Sequence, residues 1–201
     1  MAAFERFAGG LAYGVAIGGI AYSIAFVVAL KAPSDEALAV SWALLLIGGL
    51  LATGVVVAIY LRAREADPGP AMIGLLFAAV GLLGSAIHGG YELAFEFNPA
   101  ERIDVALPSQ IDPRGLLTFG FTGLGVLVLS RSIRTAAAFP ARVAGLGSVL
   151  GIGLLLTYLG RLIILDPNNV ALLGVAAITG LIVHPLWFLM IGRDLRRGPA
   201  G

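Results

Sequence analysis

Six apolar stretches of about membrane-spanning length account for most of this chain, and nearly every charged residue falls in the short gaps between them. They run roughly Phe7 to Leu30, Ala37 to Leu61, Ala71 to Ala94, Pro113 to Ser130, Ala141 to Leu165 and Val170 to Gly192. An α-helix needs about 20 consecutive apolar residues to cross the hydrocarbon core of a bilayer, so each stretch reads as one crossing. The expected fold is all-α, a polytopic bundle of six transmembrane helices forming one membrane domain over residues 1–201, with no room for a separate soluble domain. The first stretch is longer than a signal-peptide core of roughly 7 to 15 residues and lacks an A-x-A-like cleavage site, so it reads as a retained helix.

An even number of crossings puts both termini on one side. That side carries Arg6, Arg62, Arg64, Arg131, Arg134, Arg142, Arg193, Arg196 and Arg197, nine cations against the four acids Glu5, Glu65, Asp67 and Asp194. The other side carries Lys31, Arg102, Arg114 and Arg161 against Asp35, Glu36, Glu92, Glu96, Glu101, Asp104, Asp112 and Asp166. The positive-inside rule then places both termini in the cytoplasm of a multi-pass cell-membrane protein. Helix starts on the outer side carry their own signals. Pro33-Ser34-Asp35-Glu36, Asp112-Pro113 and Asp166-Pro167 each set an acidic or capping side chain beside a proline suited to a first turn, which reads Asp35, Asp112 and Asp166 as caps.

Composition narrows the function classes. The chain is 59% hydrophobic and 12% charged, with 28 glycines and a mean hydropathy of +0.96. The absence of cysteine excludes thiol catalysis, disulfide exchange and thiolate metal sites. Lys31 is the only lysine and sits at the edge of the first helix, where a retinal-type Schiff base is not expected. No serine-histidine-acid pattern, H-E-x-x-H, Walker sequence or dinucleotide fingerprint is present, so no catalytic residue and no cofactor are assigned. The cytoplasmic arginines come as scattered pairs, which suit anionic lipid headgroups and not nucleic acid.

Small residues recur every four positions at Gly10, Gly14 and Gly18 on the first helix and at Gly81, Ser85 and Gly89 on the third; Gly147 and Gly151 repeat the spacing on the fifth. In lipid this spacing lets two backbones approach closely, so these are expected contact faces, either inside the bundle or toward another membrane subunit or a second copy of the chain. Three helices followed by three is also the plan of many inverted-repeat transporters, but the halves share no residue-level match.

The most polar locality is the outer end of the third helix and the loop after it, from His88, Tyr91 and Glu92 through Glu96, Asn98, Glu101, Arg102 and Asp104 to Asp112 and Arg114. His88 and Glu92 are four apart and share a face if the helix continues through Gly89-Gly90. An imidazole and a carboxylate on adjacent turns can relay a proton or bind a divalent metal, but two ligands do not make a metal site, and none is assigned. Arg161 lies just inside the apolar fifth helix, where an arginine either snorkels to the interface or pairs with a carboxylate; Glu92 and Asp112 are the natural partners. With Asp166, these residues form the candidate polar cluster, read as an ion-paired structural network or as a site for a polar or anionic ligand.

His184-Pro185 on the sixth helix is expected to kink it. At 1.5 Å per residue, the depths of His88 and His184 differ by roughly 15 Å, so the two cannot share one haem.

Asp112-Pro-Arg-Gly-Leu-Leu-Thr-Phe-Gly, Tyr158-Leu-Gly-Arg-Leu-Ile-Ile-Leu-Asp-Pro, His184-Pro-Leu-Trp and His88-Gly-Gly-Tyr-Glu together resemble small six-helix bacterial membrane proteins grouped as a domain of unknown function. The likeness covers most of the chain. It implies the six-helix architecture and lends no activity. The expected function is an accessory or assembly subunit of a membrane complex. The alternative is a small-solute carrier or membrane ligand-binding component, and more distantly a lipid-modifying enzyme using His88 and Glu92 at the outer interface.

Overall fold

A computed structural model describes residues 2–31, 34–98 and 108–198, with the side chains of residues 29–31 outside the description. Pro33, Glu101, Arg102 and Asp104 therefore lie outside the described residues, as does the side chain of Lys31. Every element among the described residues is helical: α1 (Ala2–Lys31), α2 (Asp35–Ala63), α3 (Pro68–Phe97), α4 (Pro113–Thr135), α5 (Ala141–Ile163) and α6 (Val170–Arg197). All six are long and apolar enough to cross a membrane, which makes this a multi-pass helical membrane protein.

Each helix packs on its neighbours in sequence, and α6 closes the ring against α1; α2 also reaches across to α4. Consecutive helices run antiparallel, so α1 starts and α6 ends at the same end of the bundle. This is called the termini end below, and the opposite one the distal end. Antiparallel neighbours joined in sequence order are what short connections favour.

The caps differ in part from expectation. Asp112 does cap α4, its Oδ1 accepting from the Gly115 N–H at 2.8 Å. For α2 the cap is Ser34, which accepts from the Ala37 N–H at 3.3 Å, and Asp35 is instead the first helical residue. For α6 it is Asn169, which accepts from the N–H groups of Ala171 (3.0 Å) and Leu172 (3.2 Å). Asp166 is exposed in the α5–α6 loop and accepts from the Asn168 N–H at 2.9 Å. A proline signals only that a helix starts nearby; which oxygen reaches the orphan N–H groups is settled by the loop geometry.

The two expected small-residue faces also part company. On α3, a Cβ at Gly89 would lie 2.6 Å from both the Trp42 carbonyl oxygen and the Leu46 nitrogen of α2, and one at Gly81 would run into the backbone of Thr122 on α4. Ser85 is buried between them and donates to the Gly81 carbonyl at 3.0 Å. That stripe is consumed inside the bundle. On α1, a Cβ at Gly10 or Gly18 would meet nothing within 4 Å, and one at Gly14 would meet only the Leu51 side chain at 3.3 Å. The close approach uses the neighbouring stripe instead: a Cβ at Gly9 would lie 2.8 Å from the Gly192 carbonyl oxygen, and one at Gly19 would lie 2.8 Å from the His184 ring. Gly9-Gly10 and Gly18-Gly19 are doublets, so beside the every-four stripe α1 carries another small-residue face through Gly9, Ala12, Ala16 and Gly19, and packing against α6 selects that one.

Two helices are not regular. Leu116–Phe121 in α4 and Thr179–Val183 in α6 are π-helical, each holding one residue more per turn than an α-helix. In α6 the His184 N–H donates to the Thr179 carbonyl, five residues back, while Pro185 has no N–H to give. The expected kink at Pro185 thus takes the form of a π turn. In α4 no proline interrupts the segment; its start is fixed by Asp112 and its continuation by the approach of Gly125 to Ala78 on α3, and the π turn absorbs the register difference.

Gly89→Leu should cost about 3 kcal/mol or more, since helix backbone has nowhere to retreat, whereas Gly10→Leu should stay within about 0.5 kcal/mol. Thermal unfolding of both variants in the same detergent checks this; equal melting temperatures would contradict the assignment of the α3 stripe.

Candidate functional site

The distal end holds the expected polar cluster almost complete. α3 remains helical through Gly89-Gly90, so His88, Tyr91 and Glu92 stand on adjacent turns. Glu92, itself buried, forms an ion pair with Arg114 from the first turn of α4, and the Arg114 guanidinium lies over the Tyr91 ring at 4.5 Å. Two residues before Arg114, Asp112 uses both carboxylate oxygens: Oδ1 caps α4, and Oδ2 accepts from Arg161 Nε on α5 at 2.6 Å. Gly115 makes this possible, because a Cβ there would press on the Asp112 carboxylate, 2.6 Å from Cγ. His88 Nδ1 lies 3.3 Å from the Thr118 hydroxyl, and its Nε2 is 4.0 Å from Glu92. Asp166 is not drawn in.

Chemically this is a charge-compensated clamp joining α3, α4 and α5. Each buried carboxylate has an arginine, which is the condition under which ions persist at the edge of hydrocarbon. Among the described residues, no three His, Asp or Glu side chains are gathered as a metal-ligand set.

A third ion pair closes the termini end, and sequence reasoning missed it. Arg62 of α2 donates through Nη2 and Nε to the two carboxylate oxygens of Glu5 on α1, at 2.8 and 3.1 Å, with both side chains buried. Its guanidinium also stands 5.0 Å from the Phe139 ring centroid and donates to the Asp194 carbonyl at 3.4 Å, tying in α6. The partners are 57 residues apart. The one available signal was an acid inside the basic face of the termini side.

Between the two clamps lies a cavity of about 270 Å³ walled by all six helices. It runs from Gly18, Gly19 and Tyr22 on α1 and Gly48 on α2 to Thr122 on α4, Thr157 on α5 and Thr179 and His184 on α6. Both π-helical segments supply wall residues, Thr118 from one and Thr179 from the other. Among the described residues, no charged side chain lines it. The hydroxyls of Ser23, Ser85 and Thr157 donate to carbonyls of their own helices, at 2.9, 3.0 and 2.9 Å, leaving mainly acceptor capacity. The Thr122 hydroxyl is turned toward Gly81, away from the cavity; the His184 ring lies tilted against Phe188, centroids 4.7 Å apart, with no hydrogen-bond partner among the described residues.

The cavity gives onto the bundle surface where α1 and α6 part. The two helices pack closely from Gly9 and Gly192 up to Gly19 and His184, and Gly180 still approaches Ser23. Beyond that level, Val170–Ile178 packs chiefly on α5. Val27 and Leu173, which face this gap, are 43% and 44% exposed. Cavity and polar clamp are adjacent: Thr118 belongs to both, and the Trp42 ring stands 5.5 Å from His88 and 6.1 Å from Phe26 in the cavity wall. The sequence held no signal for the cavity, since it depends on which helices splay and where.

The chain matches no known family, no curated protein and no solved structure in comparisons against all three.

Replacing Arg161 by methionine should destabilise the protein by about 3 kcal/mol, because the Asp112 carboxylate is then buried without its counter-charge. Adding Asp112→Asn, which keeps an oxygen for the Gly115 cap, should recover a good part of that loss. A double-mutant cycle on unfolding free energies reads the coupling, and simple additivity would show that the pair is not a clamp.

Proposed function

We propose that this protein is a membrane ligand-binding or carrier component that holds a small uncharged molecule in the central cavity. The observation that carries this reading is the cavity itself: about 270 Å³, walled by all six helices, with a π-helical turn in two of its walls. Ligand sites range over roughly 300 to 1,000 Å³, so this half-open pocket suits a small molecule or one ring-sized group of a longer one. π turns are costly irregularities that recur at functional sites. The polar clamp at the distal end then serves to hold α3, α4 and α5 in position around the cavity.

The arginine distribution supports an orientation with both termini in the cytoplasm, which puts the distal clamp on the external side of the cell membrane. Reporter fusions at the two termini should both be active only in a cytoplasmic format; an external reading for either overturns this orientation.

A second reading, an accessory subunit of a membrane complex, draws on the edge of α1 at Gly10, where there is open space for a partner helix. Under that reading the cavity has no role, which separates the two experimentally.

Gly48 lines the cavity, and a Cβ there would meet nothing within 4 Å. Gly48→Leu should therefore fill the space and lower the affinity for octylbenzene, measured in nanodiscs and corrected for bilayer partitioning, by about tenfold or more, with little change in melting temperature. Unaltered octylbenzene binding in Gly48→Leu would remove the cavity from the account.

A further inference from the structure

The polar groups left over in the cavity wall carry the argument one step further, on the footing of the ligand-binding reading above. We propose that the ligand is a neutral amphiphile whose polar end carries a hydroxyl or carbonyl oxygen, bound with that oxygen on His184 and its apolar body toward the gap between α1 and α6.

Neutrality follows from the walls. Among the described residues none of the cavity-lining side chains is charged, and the Arg161–Asp112 and Arg114–Glu92 pairs are already matched in charge. An ion placed in the cavity would lose its hydration without gaining a counter-charge, which costs several kcal/mol or more. A pure hydrocarbon is also a poor match. The His184 imidazole keeps one N–H donor and one acceptor nitrogen, and neither has a hydrogen-bond partner among the described residues. His184 is half-buried and lines the cavity, so a ligand that supplies it a hydrogen bond gains about 0.5–1.5 kcal/mol over one that does not. A hydroxyl can answer both imidazole nitrogens in turn, and a carbonyl can answer the N–H.

The position of His184 is also built. It follows the π turn directly, Pro185 fixes the next residue's φ, and Gly19 makes room for the ring, since a Cβ at that position would lie 2.8 Å from Cε1 and Nδ1. Above His184 the gap between α1 and the first half of α6 is bordered by apolar side chains, Phe26, Val27 and Leu173 among them. A chain too long for the cavity leaves through that gap into the acyl region of the bilayer.

The experiment compares 4-octylphenol, octylbenzene and 4-octylbenzoate as probes of wild type and His184→Phe in nanodiscs, each affinity corrected for bilayer partitioning. Wild type should bind the phenol about tenfold more tightly than octylbenzene, the contribution of one or two buried hydrogen bonds, and the benzoate most weakly. His184→Phe keeps a ring against Phe188 and should bring the phenol down to the level of octylbenzene. In wild type, the imidazole ¹⁵N resonances of His184 should shift with the phenol and not with octylbenzene, a readout that does not depend on the folding of any variant. Equal binding of phenol and octylbenzene, or a phenol preference that survives His184→Phe with no ¹⁵N shift, overturns the head-group inference and leaves the cavity reading standing. Tightest binding of the benzoate overturns neutrality. Binding of no probe overturns the ligand-binding reading as well.

Discussion

Close approach of helix backbones at glycine is the constraint on which the rest of this structure depends. Water is absent between membrane helices, so burying apolar side chains against one another gains little over burying them in lipid; what favours contact is dispersion at short range. The bundle obtains it where a missing Cβ lets one helix reach the backbone of the next: Gly89 against Trp42 and Leu46, Gly123 against the Gly151 carbonyl oxygen, Gly9 against the Gly192 carbonyl oxygen. These contacts link α2 to α3, α4 to α5, and α1 to the termini half of α6. The last of them closes the ring at the termini end. Toward the distal end α1 and the first half of α6 part, and there the cavity lies.

Three charge pairs work within that frame. Glu5–Arg62 pins α1 to α2 at the termini end, and Arg161–Asp112 with Arg114–Glu92 pins α5 and α3 to the start of α4. Such pairs contribute little net stability compared with apolar packing, but removing one partner is costly, so they specify register. The π turns are where these demands meet. α4 is fixed in rotation by Asp112 at its start and by Gly123 and Gly125 further along, and α6 by Asn169 at its start and by Pro185 and Gly192 beyond. One extra residue in a turn reconciles the fixed points, and it places Thr118 and Thr179 in the cavity wall.

Much of this was legible in the sequence, because the requirements involved are local. Six apolar runs specify six spans through length and composition alone. His88, Tyr91 and Glu92 share a helix face by spacing, and an arginine inside an apolar run such as Arg161 either snorkels or pairs with a carboxylate, of which the structure takes the second. An irregularity near Pro185 follows from its missing N–H, and the structure has a π turn there. What could not be read depends on relations between distant segments. Glu5 and Arg62 meet because α1 and α2 are antiparallel and of matched length. The Gly10-Gly14-Gly18 stripe has the regular four-residue spacing, yet the position of α6 selects the neighbouring face through Gly9 and Gly19. The π turn in α4 has no proline to announce it. The cavity is a property of the gap between helices and has no residue pattern of its own.

The most direct measurement of the central claim is to purify the protein from its native membrane in a mild detergent, extract what is bound, and identify it by mass spectrometry beside Gly48→Leu prepared in the same way. The account predicts one reproducible small neutral molecule at near-stoichiometric amount with the wild-type protein and its loss from Gly48→Leu. A wild-type protein that carries no such molecule, or carries it equally in Gly48→Leu, would contradict it.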